Sequence, residues 1–211
     1  MPADTLPDHL RSGYHRFRVH RYPGEHERYT RLAAEGQHPP TAVIACADSR
    51  SGPETVFDAA PGELFVVRNV AALVPVYAPD DRAHAASAAL EYAVLALGVR
   101  HIMVMGHGRC GGVGAALDDR SPLTATDFVG SWVAPLRDLA MELDPTDWAD
   151  PALMQRDLEF RSIEQSVLNL QTFPWIRSRV RAGTLEVGGC WFDISLGELW
   201  VLAPSGWARV P

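Results

Sequence analysis

The chain has 211 residues, 47% of them hydrophobic and 21% charged, with a formal net charge of -7. That size and balance suit one α/β domain with a sizeable core, and they exclude a disordered chain or a disulfide-stapled miniprotein. Three cysteines make no disulfide framework, and the acidic balance disfavours nucleic acid or an anionic membrane as a partner. All 19 basic residues are arginine, which removes Schiff-base and lysine-base chemistry.

In chain order, the first forty residues are polar and rich in His and Arg, and read as one or two surface helices stopped by the prolines of GQHPP. TAVIAC (41–46) reads as a short buried strand, followed at once by the polar turn ADSRSGPE. PETVFDAA suggests a brief helix, and ELFVVRNV (63–70) a second strand. The Ala/Leu-rich stretch 83–97 has strong helix propensity and is closed by Gly98. HIMVMGH (101–107) is a third strand running into glycines that start a helix. Residues 127–182 read as helices divided by a loop near Asp144-Pro145 and Asp150-Pro151. TLEVGGCWFDI and ELWVLA, joined by SLGE, read as a terminal hairpin. The expected fold is therefore α/β: a mostly parallel central sheet flanked by helices, with an antiparallel strand addition at the C-terminus. One domain over 1–211 is expected.

The N-terminus shows no apolar signal-peptide core, and no stretch approaches the roughly 18 apolar residues of a membrane span. A reducing cytoplasm is the expected location, with no membrane partner and no nucleic-acid partner.

Two short pieces carry chemistry: Cys46-Ala47-Asp48-Ser49-Arg50 after the first strand, and His107-Gly108-Arg109-Cys110 after the third. Residues just past the carboxyl ends of neighbouring parallel strands converge in a crevice. Two thiols, an imidazole and a carboxylate facing one point match zinc, with either Asp48 or water in the fourth place. Cys46 alone also fits plain packing, and His-x-x-Cys alone recurs by chance. Together, each closing a predicted strand, they point to metal. Asp48 and Arg50 read either as a surface ion pair worth under about 1 kcal/mol, or as a pair in which Arg50 holds Asp48 off the metal as an acceptor.

The pieces IACADSR, PGELFVVRNVA, SAALEYAV, HIMVMGHGRCGGV, LNLQTFPWI and WFDI…GELWVL, in this order, resemble the β-class carbonic anhydrases, in particular short bacterial members. The resemblance runs from about Tyr14 to Leu202. It implies zinc-dependent reversible hydration of CO2 to bicarbonate by attack of zinc-bound hydroxide, with one Zn2+ per chain held by Cys46, His107 and Cys110. It further implies an Asp48–Arg50 catalytic dyad that orients the hydroxide, with Asp48 able to take the fourth zinc position in a closed, inactive form. Gln37 falls where the family hydrogen-bonds substrate. Phe65, Val70 and Tyr92 fall where it lines the CO2 pocket, partly from a neighbouring subunit; by themselves those three also read as ordinary core. A homodimer or dimer of dimers follows, with the 1–40 helical arm expected to pack on a partner subunit.

The chain departs from the family pattern in places. Gly188-Gly189 stands where many members have His-Gly. Val43 stands where some bacterial members carry a tryptophan of an inhibitory bicarbonate site, so Arg68, its partner there, reads as structural. Cys190 matches no ligand position and reads as a buried small hydrophobe. His101 begins the third strand and reads as a core or edge histidine. Carbon disulfide or carbonyl sulfide hydrolysis on the same scaffold is a competing reading that no residue marks. A structural zinc module would need no dyad, and a redox thiol protein would want a close Cys-x-x-Cys pair, which is absent.

Overall fold

The computed structural model describes residues 5–118 and 122–211, and contacts divide the chain into two compact units, one ending at His38 and the other running Pro39–Pro211. The first unit is helical: α1 (Asp8–Arg16) continues through a wider π-turn at Phe17–Arg21 into α2 (Tyr22–Glu35). Neither helix buries any residue. Phe17 gathers Tyr22 and Tyr29 at ring separations of 5.8 and 6.0 Å. Gly36 ends α2 at φ 83°, a conformation open to glycine at no steric cost, while its N–H closes the last turn on the Leu32 carbonyl.

The second unit is built on a six-stranded sheet. β1 (Thr41–Cys46) is followed by the short α3 (Pro53–Val56) and β2 (Leu64–Asn69). Then come α4 (Ala85–Glu91), extended by a π-turn at Tyr92–Ala96, and β3 (His101–His107). After β3 come α5 (Gly111–Gly114), α6 (Phe128–Ala140), α7 (Pro151–Leu170) and α8 (Pro174–Arg181). The strands β4 (Glu186–Asp193), β5 (Glu198–Ala203) and β6 (Gly206–Arg209) close the chain. The spatial order is β2-β1-β3-β4-β5-β6. The first four strands are mutually parallel and β4, β5 and β6 are antiparallel. The expected architecture is present, and the terminal hairpin gains a third strand, β6, beyond the expected two. Trp207 on β6 stacks on Phe160 at 4.5 Å and donates its indole N–H to Glu164 Oε1 at 2.8 Å, which ties the added strand to α7. Among the described residues no helix is long and apolar enough to cross a membrane.

β1 is apolar on both faces, as a central parallel strand must be. Ala42, Ile44 and Cys46 join the larger core with Ile102 and Val104, while Val43 and Ala45 face a smaller cluster with Met105 and Cys190. Cys190 is buried as expected, and burial pushes its thiol up to about 12. On α7, Leu158, Ile163 and Leu170 are almost fully enclosed, each worth about 1.5–3 kcal/mol of burial. α7 approaches the sheet so closely that Ile163 occupies the space where side chains on Gly106 and Gly189 would stand. A β-carbon on Gly189 would lie 2.5 Å from Ile163 Cγ2, and one on Gly106 2.6 Å from its Cδ1.

Gly189→Ala should therefore force α7 outward and destabilise the fold by about 1–3 kcal/mol. The urea midpoint, read at unchanged slope, checks this; an unchanged midpoint would mean that Ile163 repacks freely.

Candidate metal centre

Cys46 is the last residue of β1 and His107 the last of β3, so the parallel pairing of these two strands brings them to one edge of the sheet. Cys110 follows three residues later, at the mouth of α5. The ligand atoms of Cys46, His107 and Cys110 all lie within 4.8 Å of one another, and all three residues are buried. The two sulfurs are 3.7 Å apart and form no disulfide.

The imidazole is fixed by its other nitrogen. Nδ1 sits 3.0 Å from the Gly108 carbonyl, an acceptor only, so Nδ1 carries the proton and donates. Nε2 is left as the lone-pair nitrogen, buried and without a hydrogen-bond partner among the described residues. An enclosed, unsatisfied imidazole nitrogen beside two thiols is costly unless something soft and electron-poor meets it. That donor set fits zinc. The thiols also polarise each other. The hydrogen bond with Cys110 holds Cys46 below the ordinary thiol range, with His107 assisting, while the same bond and burial push Cys110 up. Burial lowers the His107 pKa, but the neighbouring Cys46 sulfur and the bond to Gly108 outweigh this and leave it raised.

Asp48 and Arg50 form a two-pronged pair. Arg50 Nε donates to Asp48 Oδ1 at 2.9 Å, Nη2 donates to Oδ2 at 2.7 Å, and the Arg50 backbone N–H adds a third bond at 2.9 Å. These bonds hold the Asp48 carboxyl well below the usual carboxylate range. Asp48 is not one of the three residues whose ligand atoms cluster: its carboxylate is turned to Arg50, with Oδ2 3.8 Å from His107 Nε2. Arg50 Nη2 also reaches the Arg109 carbonyl at 3.3 Å, so the second loop steadies the first. Arg109 holds φ 55°, left-handed for a residue with a side chain, at a cost on the order of 1–2 kcal/mol. Arg68 donates Nε–H to the Cys46 carbonyl at 2.9 Å and Nη2–H to the Asp48 carbonyl, in keeping with a structural reading.

Val70 packs against the metal loop, since a β-carbon on Gly112 would stand 2.6 Å from Val70 Cγ1. Its turn holds Ala71 and Ala72 at φ 65° and 56°. Asn69 staples that turn, accepting from Leu73 N–H at 2.8 Å and donating to its carbonyl at 2.9 Å. Phe65 lies 6.0 Å from Tyr92, ring to ring, and Val70 and Tyr92 are exposed in the single chain. Gln37 follows Gly36 in the first unit and is exposed. His101 stands at the opposite end of β3 from His107, paired with Glu186 at 3.6 Å, about 20 Å along the strand, so it does not adjoin the metal turn.

Three residues of this neighbourhood have roles that motif reading does not assign, although Trp191 opens the WFDI piece. Glu159 on α7 is 3% exposed. Its Oε1 accepts from the Cys110 backbone N–H at 2.9 Å and from Gln155 Nε2 at 3.0 Å, and its Oε2 accepts from the Trp191 indole at 3.0 Å. Burial raises its pKa against the pull of these donors. The one available signal is a glutamate in helical phase with Ile163 and Leu170 on a buried stripe.

A family profile described as carbonic anhydrase matches residues 41–199. β carbonic anhydrase 6, mitochondrial, of Arabidopsis thaliana is 38% identical over 195 residues, covering 89% of this chain and 64% of that protein. β carbonic anhydrase 3 of the same plant is 33% identical over 204 residues, covering 92% and 77% respectively. The chain thus spans less than two thirds of the length of the first of these relatives. Among solved structures, the β-carbonic anhydrase CcaA superposes with a TM-score of 0.87 at 28% identity, covering 96% of this chain and 98% of that one. One of two tetrameric β-carbonic anhydrases from Sordaria macrospora gives a TM-score of 0.81, also at 28% identity and with the same coverage. The chain belongs to the β-class carbonic anhydrase family.

The Arg50 clamp sets a pH expectation. Asp48 should stay ionised as pH falls from 7 through 4, where a free aspartate takes up its proton, so any stability from the pair persists above that range and fades only in stronger acid. Carboxyl carbon NMR should show no Asp48 step down to about pH 3.5. Arg50→Met should restore one near the ordinary value.

Proposed function

We propose that this protein catalyses the reversible hydration of CO2 to bicarbonate and a proton, using one Zn2+ per chain held by Cys46, His107 and Cys110. The observation that carries this reading is the buried, unpartnered Nε2 of His107 among two thiols, with an ionised carboxylate 3.8 Å away. When bound, zinc supplies the Lewis acidity that makes water a nucleophile near neutral pH. Two thiolates offset much of the ion's charge, so activity should rise into mildly alkaline pH.

The chain's own groups do the rest. Asp48 Oδ2 accepts the hydrogen of the attacking nucleophile and leaves a lone pair directed at carbon. Arg50 keeps Asp48 ionised, and so an acceptor only. With Arg50 disengaged, Asp48 would be free to serve as a fourth ligand in a closed form. Phe65, Val70 and Tyr92 hold CO2 against an apolar wall, and Gln37 donates an amide N–H to one of its oxygens.

The assembly is a homodimer or dimer of dimers. Val70 and Tyr92 are 39% and 51% exposed in the single chain, and an apolar CO2 wall left in water would fill with it. The 1–40 arm packs on a partner subunit, which accounts for the exposure of Leu10, Tyr14 and Val19. Thiolate ligands suit a reducing compartment, and a cytoplasmic location is proposed on that ground.

Stopped-flow CO2 hydration on zinc-quantified protein tests the reading. Turnover should be rapid and higher at pH about 8.5 than at about 7. Cys46→Ala should lose zinc, and Asp48→Asn should keep zinc while losing about 10²–10⁴-fold in turnover. One zinc per chain with no hydration at either pH would overturn it. Sedimentation equilibrium should show a dimer or larger; an active monomer at high dilution would remove the shared pocket.

A further inference from the structure

A buried carboxylate is expensive unless donors meet it, and three meet Glu159, one of them on the back of the metal loop. Its Oε1 receives the Cys110 N–H, and Gln155 Nε2, bonded to the same oxygen, also donates to the Cys110 carbonyl at 3.1 Å. The Cys110 backbone is therefore gripped from both of its polar groups by two residues one helical turn apart on α7. Trp191, on β4, completes the arrangement. Its indole N–H holds Glu159 Oε2 at 3.0 Å, and its ring lies against Gly108, where a β-carbon would come within 3.0 Å of Cζ2. Gly108 is the residue whose carbonyl receives the His107 Nδ1–H. One indole thus braces both halves of His107-Gly108-Arg109-Cys110, the imidazole through Gly108 and the thiol through Glu159.

Resting on the zinc reading above, we propose that Glu159 and Trp191 are a coupled pair of positioning residues that set the metal loop from behind, fixing the Cys110 backbone and the ring direction of His107. Their hydrogen bonds go to the Cys110 backbone, to Gln155 and to each other rather than to the ligand atoms. The pair acts by removing alternatives: Glu159 is an acceptor for three N–H donors, so the Cys110 N–H, the Gln155 amide and the Trp191 indole have one mutual arrangement that satisfies all of them. Partners of this kind commonly change metal affinity 10–100-fold when removed.

Zinc affinity measured by chelator competition, together with the visible spectrum of the cobalt-substituted protein, tests the pair without relying on turnover. Glu159→Gln keeps the volume but turns an amide N–H toward an existing donor. Trp191→Phe keeps a ring against Gly108 but strands one carboxylate oxygen. Each should weaken zinc binding at least about 10-fold and alter the cobalt ligand-field bands in the same sense. The double variant should lose little more than the worse single one, since both break one network. Trp200→Phe, which removes an indole of the same aromatic group that makes no bond to Glu159, should leave affinity and bands as in the parent. If Glu159→Gln does not fold, Gln155→Met, at a half-buried position, should produce a smaller change of the same kind. Parent-like affinity and bands in the Glu159 or Gln155 and Trp191 variants overturn the proposal while leaving the zinc reading intact. A parent protein that holds no zinc overturns both.

Discussion

Everything in the site depends on β1 and β3 lying side by side and running the same way. Parallel neighbours deliver their last residues to one edge of the sheet, so Cys46 and His107 meet there although about sixty residues of chain separate them. The right to that edge is set by the hydrophobic continuity of β1: a strand buried on both faces belongs in the middle, and its neighbours β2 and β3 then present Asn69 and His107 to the same rim. From there the loops need little length. Cys110 is reached within three residues, and Asp48 and Arg50 within four of Cys46.

Charge is arranged in the same economical way. A dication held by two thiolates and an imidazole would be close to neutral, so an ionised Asp48 would meet neither strong repulsion nor strong attraction there. Arg50 decides its direction. Arg68 and the Arg109 carbonyl fix the loops from the side, and the left-handed turn at Arg109 is the cost of directing that carbonyl to Arg50. The structure spends backbone strain to place an acceptor, a familiar exchange at functional sites.

The strand ends and their motifs were legible because both signals are local. TAVIAC and HIMVMGH are apolar runs cut off by polar turns, and the two ligand motifs begin where those runs stop. The short helix at Pro53 and the helices of 127–182 were likewise set by proline, glycine and periodicity. β6 escaped notice because Gly206–Arg209 is short and polar at its ends, and it is held by Trp207 against α7 rather than by its own pattern. Glu159, Gln155 and Trp191 escaped for a related reason. Each lies on an element far along the chain, and only the packing of α7 on the sheet, through Ile163 over Gly106 and Gly189, reveals that they converge behind Cys110. The π-turns at Phe17–Arg21 and Tyr92–Ala96 have no composition of their own and read simply as helix.

The separation of the ligands along the chain has a consequence for how the protein reaches its native state. Closing a loop of about sixty residues costs about 4 kcal/mol of chain entropy, and the crossover that joins two parallel strands must form before Cys46 and His107 can face each other. A metal bound there would therefore arrive late. A nascent chain exposes one ligand when β1 emerges, and the other two only after β3, so no partial segment can be organised around the ion in the way a small zinc finger is. The sheet must assemble without help from a metal, and an ion held by Cys46, His107 and Cys110 would then lock a crossover it did not help to build.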